Sequence, residues 1–399
     1  MNNQKVLIVH NYYLIPGGED TVVENESTML MENGHEVIFY TRHNDEIKNI
    51  SILGKIKLFF VSIFSVKTYR EVKKIIKEEK IDIVHVHNTL PLISPSVYYA
   101  AFKVKVPVVQ TIHNFRLICP AATLTRNGLI CEKCIKNGLA PALKYKCYRK
   151  SYLQTFAIVT MLKIHRMLKT YQKINGYIAL TEFNKNKLLS LVDDDKVHVK
   201  PNFVKGTSNR KDEKREVENY FVFIGRLDKL KGIDLIIESW KDIKETGLIV
   251  LGDGPLKKEL DCLIKDSKIN NIQLLGFMKR EEAFEILKKA KAIIMASQWY
   301  EGFPMTIVES FSLGVPVIAG DIGNLGAIIT HKKNGLLFKY RSKDDLKENI
   351  DMLINDNELN EKLSVGAYKT FIENYDDKIN YKYLNNIYSE LIGDANDKM

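Results

Sequence analysis

Short apolar runs recur along this chain, each followed by a longer amphipathic stretch, and no other sequence feature restricts the fold as much. One series falls at residues 6–10, 37–40, 81–87, 106–112, 176–181 and 197–200. A second falls at 220–225, 248–252, 272–276, 292–296, 315–319 and 335–338. Runs this short and this apolar suit strands covered on both faces. The intervening segments, such as 20–33, 255–268 and 281–291, are long enough for crossover helices. Strand–helix alternation therefore predicts an α/β class with parallel sheets and helices on both faces, and two series predict two doubly wound, Rossmann-like domains. The expected division is 1–200 and 201–375, with a closing amphipathic helix in 376–399 that returns to the first domain. Pro201-Asn202 and the polar stretch 205–218 mark the junction.

Composition narrows the class further. With 399 residues, 45% hydrophobic and 27% charged, the chain carries enough apolar surface for sizeable cores and does not read as disordered. Its longest purely apolar stretches fall far short of the ~18 residues of a membrane span. The start, KVLIVH at 5–10, reads as a buried strand and not as a signal peptide, so a cytoplasmic location is expected. Charge is concentrated: residues 51–192 hold 24 Lys and Arg against 6 Asp and Glu, although the whole chain is only +10. Such a field attracts nucleic acid, anionic lipid or a polyphosphate substrate, or it is a solvated lysine-rich face.

Doubly wound sheets bind ligands beyond the carboxyl ends of their strands, so the residues there are the candidates for function. After the first strand come Gly17 and Gly18 at a helix entrance, where backbone amides can approach an anion closely. The dinucleotide pattern GxGxxG is absent, which argues against NAD or FAD. In the second half, the strand FVFIG is followed by Arg226 and, five residues on, by Lys231. An arginine fork and a lysine point charge at one strand end suit a diphosphate. The segment EGFPMTIVE supplies Glu301, Gly302, Phe303, Pro304, Met305 and Glu309. Pro304 suits a first helical turn that leaves free amides around it, and two carboxylates at this spacing can accept hydrogen bonds from sugar hydroxyls.

Together these motifs resemble the retaining glycosyltransferases of family 4, which have the two-domain GT-B architecture, with a cleft between facing domains. The glycine turn, GRLDKLKG from 225, GDGP at 252–255 and the Glu301/Glu309 pair carry the resemblance, which spans nearly the whole chain. It implies an acceptor-side first domain and a donor-binding second domain. Arg226 and Lys231 would then hold the diphosphate of a nucleotide-sugar donor, with Gly17 and Gly18 facing it. Glu309 would hold the ribose, and Glu301 the donor sugar with Gly302, Phe303, Pro304 and Met305 around it. TIHNFRLICP at 111–120 looks like a branch acting in bacterial surface polysaccharide synthesis, and His113 there corresponds to a histidine beside the transferring sugar. His85 and His87 also end a strand, without an assigned role. Ala327 departs from the acidic residue many relatives carry.

The implied reaction is sugar transfer from a nucleotide-diphosphate sugar to an acceptor hydroxyl with retention, and His113, Arg226, Lys231 and Glu301 are the residues assigned to it. No cofactor and no catalytic metal are expected. A lipid-diphosphate-linked glycan is the expected acceptor, reached from an anionic inner membrane surface through the basic region, with amphipathic segments at 55–77 and 152–173. A nucleotide-sugar epimerase of the same fold and a non-catalytic binding subunit are the alternatives. A nucleic-acid partner is disfavoured because no binding motif is present. Cys119, Cys131, Cys134 and Cys147 include one CxxC and have the number and type of ligands for a structural zinc, with reduced thiols as the expected state.

Overall fold

The computed structural model describes residues 3–14, 17–206 and 215–397. The chain forms two compact units: Met1–Leu124, Cys131–Asn202 and Asn380–Met399 in unit 1, and Thr125–Ile130 with Phe203–Ile379 in unit 2. Most of the final helix, Asp377–Asp397, thus belongs with unit 1, whereas a short segment from the middle of the first sequence half groups with unit 2. The polar junction is described only at its ends, because 207–214 lie outside the described residues.

Unit 1 contains a six-stranded parallel sheet built from β1 (Lys5–Tyr12), β2 (Glu36–His43), β3 (Ile83–Asn88), β4 (Val108–Ile112), β7 (Gly176–Ala179) and β8 (Val197–Val199). Its order is β2-β1-β3-β4-β7-β8. Two-residue strands β5 (Thr125–Arg126) and β6 (Leu129–Ile130) pair as an antiparallel hairpin and belong to unit 2 by packing. The sequence pattern missed them because two residues cannot establish a period. Val6, Leu7, Ile8 and Val9 are all fully buried, as a central strand covered by helices on both faces requires.

Unit 2 repeats the plan with β9 (Tyr220–Ile224), β10 (Gly247–Leu251), β11 (Ile272–Gly276), β12 (Ile293–Met295), β13 (Val317–Gly320) and β14 (Gly335–Phe338) in the order β11-β10-β9-β12-β13-β14. All twelve expected strands are present, within a few residues of their predicted limits. In each sheet the chain winds outward one way and then resumes on the other side of its first strand. That reversal lies between β1 and β3 in unit 1 and between β9 and β12 in unit 2, and such points hold ligands in open α/β sheets.

Two elements differ from expectation. The amphipathic segment 55–77 is two helices, Ile52–Ile63 and Val66–Glu78, separated at Phe64 and Ser65. Ser65 caps the second by accepting from the Thr68 amide, a local bond that competes with helix continuation. Pro304 lies one position before the helix Met305–Ser312 as its N-cap, instead of inside its first turn.

Candidate active site

In unit 2, the loops after β9 and β12 flank the reversal point, carry most of the expected donor residues and join two of them, Lys231 and Glu301. Asp228 starts a single 3-10 turn, accepting from the amides of Leu230 and Lys231 at 3.0 and 3.1 Å. Gly232 ends that turn at φ +68°, and a Cβ there would lie 2.0 Å from the Ala296 carbonyl oxygen. Only glycine lets the two loops approach this closely. Lys231 is thereby aimed at Glu301, with Nζ 2.7 Å from Oε1. The same carboxylate oxygen accepts from Ser297 Oγ at 2.6 Å and from Trp299 Nε1 at 3.1 Å. Glu301 is buried, and Asn324 Nδ2 fixes its backbone by donating to the carbonyls of Glu301 and Gly302 at 2.7 and 2.6 Å.

This geometry changes the expected division of labour. Sequence separated Lys231, for phosphate, from Glu301, for sugar; the fold joins them in one pair. Lys231 reaches a phosphate only by sharing or leaving Glu301. Arg226 is different: its side chain is 70% exposed and its nearest carboxylate, Asp228, stands 3.4 Å away. It is the more available cation at this strand end. Glu309 lies on the helix Met305–Ser312, and Arg280 Nε donates to its Oε1 at 2.9 Å, a partner the motif did not indicate. Arg280 is half exposed, so the pair is weak and exchangeable. Phe303 packs edge-on against Tyr375, Pro304 is buried and Met305 half-buried. Ala327 is exposed on the short helix Gly323–Ile328.

In unit 1, the glycine turn is less open to an anion than its sequence suggests. Ile15 and Pro16 lie outside the described residues. The Gly17 amide already donates to Asp20 Oδ2 at 3.0 Å, and Asp20 Oδ1 meets His10 Nε2 at 2.7 Å. Space is not what demands glycine at 17, since a Cβ there would touch nothing within 4 Å. Beside the turn, Glu19 accepts from Tyr13 Oη at 2.9 Å and from Asn114 Nδ2 at 3.4 Å. Burial pushes its carboxyl up to about 7, with the neighbouring Asp20 adding to the rise.

His113 follows β4 and is half-buried, with Nε2 3.0 Å from His87 Nδ1. Burial and the charges of His10, His85 and Lys200 hold its pKa well below the ordinary value, so the ring is neutral. His85 and His87 prove to be part of the same group. Glu26 and Lys200, which carried no motif, form a fully buried pair beside them, with Nζ 2.8 Å from Oε2. One signal for Glu26 was available: it sits among Val22, Val23, Met29 and Leu30 on the buried stripe of the helix Gly18–Glu32, where a carboxylate needs a partner. The four clustered cysteines all lie in unit 1, Cys119 and Cys134 buried, Cys131 and Cys147 half-buried. Burial pushes the Cys134 thiol up to about 12, with Cys119, Cys147 and Cys131 adding to it, so the four stand within electrostatic reach of one another.

The two halves of the chain match two adjoining family descriptions: Glycosyltransferase Family 4 over residues 16–205 and Glycosyl transferases group 1 over 204–370. The chain belongs to the family 4 glycosyltransferases. It is similar to an uncharacterised glycosyltransferase of Methanocaldococcus jannaschii, 27% identical over 90% of this chain and 91% of that one. It is also similar to the N-acetyl-alpha-D-glucosaminyl L-malate synthase of Bacillus anthracis, 21% identical over 96% and 97%. The crystal structure of Anabaena HepE in complex with UDP matches it with a TM-score of 0.67 at 16% identity, covering 97% of this chain and all of the other. That likeness establishes the GT-B fold for this glycosyltransferase.

Proposed function

We infer that this glycosyltransferase moves a sugar from a nucleoside-diphosphate donor to an acceptor hydroxyl with retention of anomeric configuration, in the assembly of a cell-surface glycan. The observation that carries the donor assignment is the Lys231–Glu301 pair at the reversal point of unit 2, with Arg226 exposed on the same strand-end loop as Lys231. Negative charge grows on the departing diphosphate during transfer, and preoriented cations stabilise that charge more than the ground state. Arg226 meets it first. Lys231 exchanges its bond to Glu301 for one to phosphate, which frees the Glu301 carboxylate to accept from donor-sugar hydroxyls. Glu309 takes the ribose after Arg280 yields it, and amides at the start of the helix Met305–Ser312 add their dipoles. On the side of unit 1, His113 contacts the sugar being transferred, and the Gly17–Gly18 turn takes part in phosphate binding only if Asp20 releases the Gly17 amide. The reading needs no catalytic metal, and the clustered thiols are assigned the reduced state. HepE in its complexes with UDP and UDP-glucose supports a nucleotide-sugar donor by likeness of fold.

A second observation favours an acceptor presented at an anionic membrane, such as a lipid-diphosphate-linked glycan. The helix Ile52–Ile63 buries little except Ser62, and Ile52, Leu53, Ile56 and Phe60 are exposed. The helix Tyr152–Met167 packs beside it through stacked Phe59 and Phe156 rings, 6.1 Å apart, and adds exposed Tyr152, Leu153, Phe156 and Met167. Exposed Lys55, Lys57, Arg149, Lys150, Lys163 and Lys169 lie on or next to these helices. A contiguous apolar face rimmed by cations suits the interface of anionic lipid. Among the described residues no helix is long and apolar enough to cross a membrane.

Binding to the native state raises apparent stability, so thermal unfolding with UDP, GDP and their sugar conjugates tests the donor reading. A rise with one nucleotide series, abolished in Arg226→Ala/Lys231→Ala, is expected. No rise with any nucleoside diphosphate would refute it.

A further inference from the structure

Glu26, His85, His87, His113 and Lys200 form one connected polar group in unit 1, beside the carboxyl ends of β3 and β4. Its anchor is Glu26. Burial alone would raise this carboxyl, but the Lys200 ammonium and the His85 ring outweigh burial and hold it below the usual range, so it is ionised. Lys200 Nζ is also bound by Asn380 Oδ1 at 2.9 Å. The second carboxylate oxygen, Oε1, stands 3.2 Å from His85 Nδ1 and 3.5 Å from His87 Nε2. Neither Glu26 Oε1 nor His87 Nε2 makes a conventional hydrogen bond elsewhere. On its opposite edge His87 presents Nδ1 to His113 Nε2 at 3.0 Å, with the rings near-parallel at 20°.

A hydrogen bond between two imidazole nitrogens contains one proton, and one of the rings must supply the lone pair. Glu26 decides which. A lone pair on His87 Nε2 would face a carboxylate oxygen where both side chains are buried and the local dielectric is low, whereas an N–H there is attracted. His87 therefore carries its proton on Nε2 and accepts through Nδ1. His113 must then donate through Nε2, leaving a lone pair on its own Nδ1. Burial keeps both rings neutral, so a second proton does not blur the assignment. The remaining neighbours do not reverse it. His10 is tied to Asp20, and His85 is held between Tyr388 Oη at 2.6 Å and Thr111 Oγ1 at 2.7 Å.

We propose that Glu26 and His87 are positioning residues that lock His113 in its Nε2–H tautomer, so that it meets the substrate through the Nδ1 lone pair and accepts a hydrogen bond from a sugar hydroxyl. This rests on the reading of His113 as a substrate-contacting residue. It also sets a selectivity: a hydroxyl or amide N–H is accepted at that position, and a group offering only acceptor oxygens is repelled. Glu26, His85 and His87 have the spacing of a metal-binding trio as well. The Lys200 ammonium already holds the carboxylate, so a divalent ion would enter beside a buried positive charge, and the trio is better explained as this relay.

The ring nitrogens of histidine-labelled protein report the tautomer directly by nitrogen-15 NMR, with His113→Asn identifying the His113 signals. A pyrrole-type Nε2 and a pyridine-type Nδ1 are expected, and a pyridine-type Nε2 in the wild type overturns the proposal without any further variant. His87→Phe keeps the ring and deletes its nitrogens. In that variant His113 should populate both tautomers, and kcat should fall about ten-fold or more with donor KM little changed. A single unchanged tautomer with wild-type kcat overturns the positioning role. Wild-type transfer by His113→Ala would overturn the substrate-contact reading by itself, while the tautomer result stood independently.

Discussion

At the scale of single residues, the strand-end loops of unit 2 show how neighbours change the task a motif residue can perform. Arg226 is the cation not committed to a buried partner, and its loss should act on leaving-group charge. Arg226→Ala should lower kcat by about 100-fold, in the range of removing one preorganised donor, with a smaller effect on nucleotide binding. Glu309→Gln should do the reverse, weakening nucleotide binding and sparing kcat at saturating donor. Steady-state kinetics together with calorimetric nucleotide titration separate the two, and wild-type behaviour of Arg226→Ala in both would remove it from the site. Glu19 gives a pH-dependent counterpart. Its folded pKa of about 7 lies above the ordinary 4.5, because burial favours the neutral carboxyl. Its contribution to stability is fully present below pH 4.5 and is lost as pH rises through about 7. Glu19→Gln should therefore gain in Tm relative to the wild type between pH 5 and pH 8, measured as the difference between paired melts. A flat difference would show that Glu19 is solvated, and one that moves the other way would show that its carboxylate is stabilised in the fold.

At the scale of elements, the helices Ile52–Ile63 and Tyr152–Met167 carry a surface that their own sequence could not assign. Periodicity marked both segments as amphipathic, which is equally the signature of a helix packed on a core. Only the fold shows Leu53 at 78% and Leu153 at 77% exposure. Leu53→Asp/Leu153→Asp should lower binding to anionic vesicles by about ten-fold or more and leave Tm unchanged, since neither side chain contributes to the core. Binding by the wild type should weaken as salt rises, because each cation near anionic lipid contributes ~1 kcal/mol at most and is screened. Vesicle sedimentation decides this, and equal, negligible binding of the wild type to anionic and neutral vesicles would end the membrane reading.

At the scale of the molecule, unit 1 closes on residues from the far end of the chain. Lys200 Nζ joins Glu26 and Asn380, His85 joins Tyr388, and His35 joins Tyr381 at 3.1 Å. The last helix also buries Leu384, Ile387, Tyr388 and Leu391, each worth roughly 1.5–3 kcal/mol of hydrophobic burial. Gly176 accommodates it, because a Cβ there would lie 2.8 Å from Leu391 Cδ1. Lys200→Met should be strongly destabilising, by about 3–5 kcal/mol, because it strands a buried carboxylate, and Glu26→Gln/Lys200→Met should recover much of that loss. Paired thermal melts test it, and equal Tm for the single and double variants would show that the two charges are independent.

These cases separate what local order along the chain decides from what folding decides. The two sheets were legible because burial on both faces imposes continuous apolar runs, and turn residues delimit them, so strand count and class follow from composition over short windows. The strand-end positions of Arg226, Lys231 and Glu301 were legible too, since each follows an apolar run within a few residues. The pairing of Lys231 with Glu301 and of Arg280 with Glu309 was not, nor was the relay from Lys200 through Glu26 to His113. Each joins residues between 26 and 174 positions apart, and a Coulomb or hydrogen-bond interaction depends on distance in space, which sequence separation does not encode. Whether an amphipathic face is core or surface depends likewise on what the rest of the chain leaves uncovered, and only the packed fold settles that.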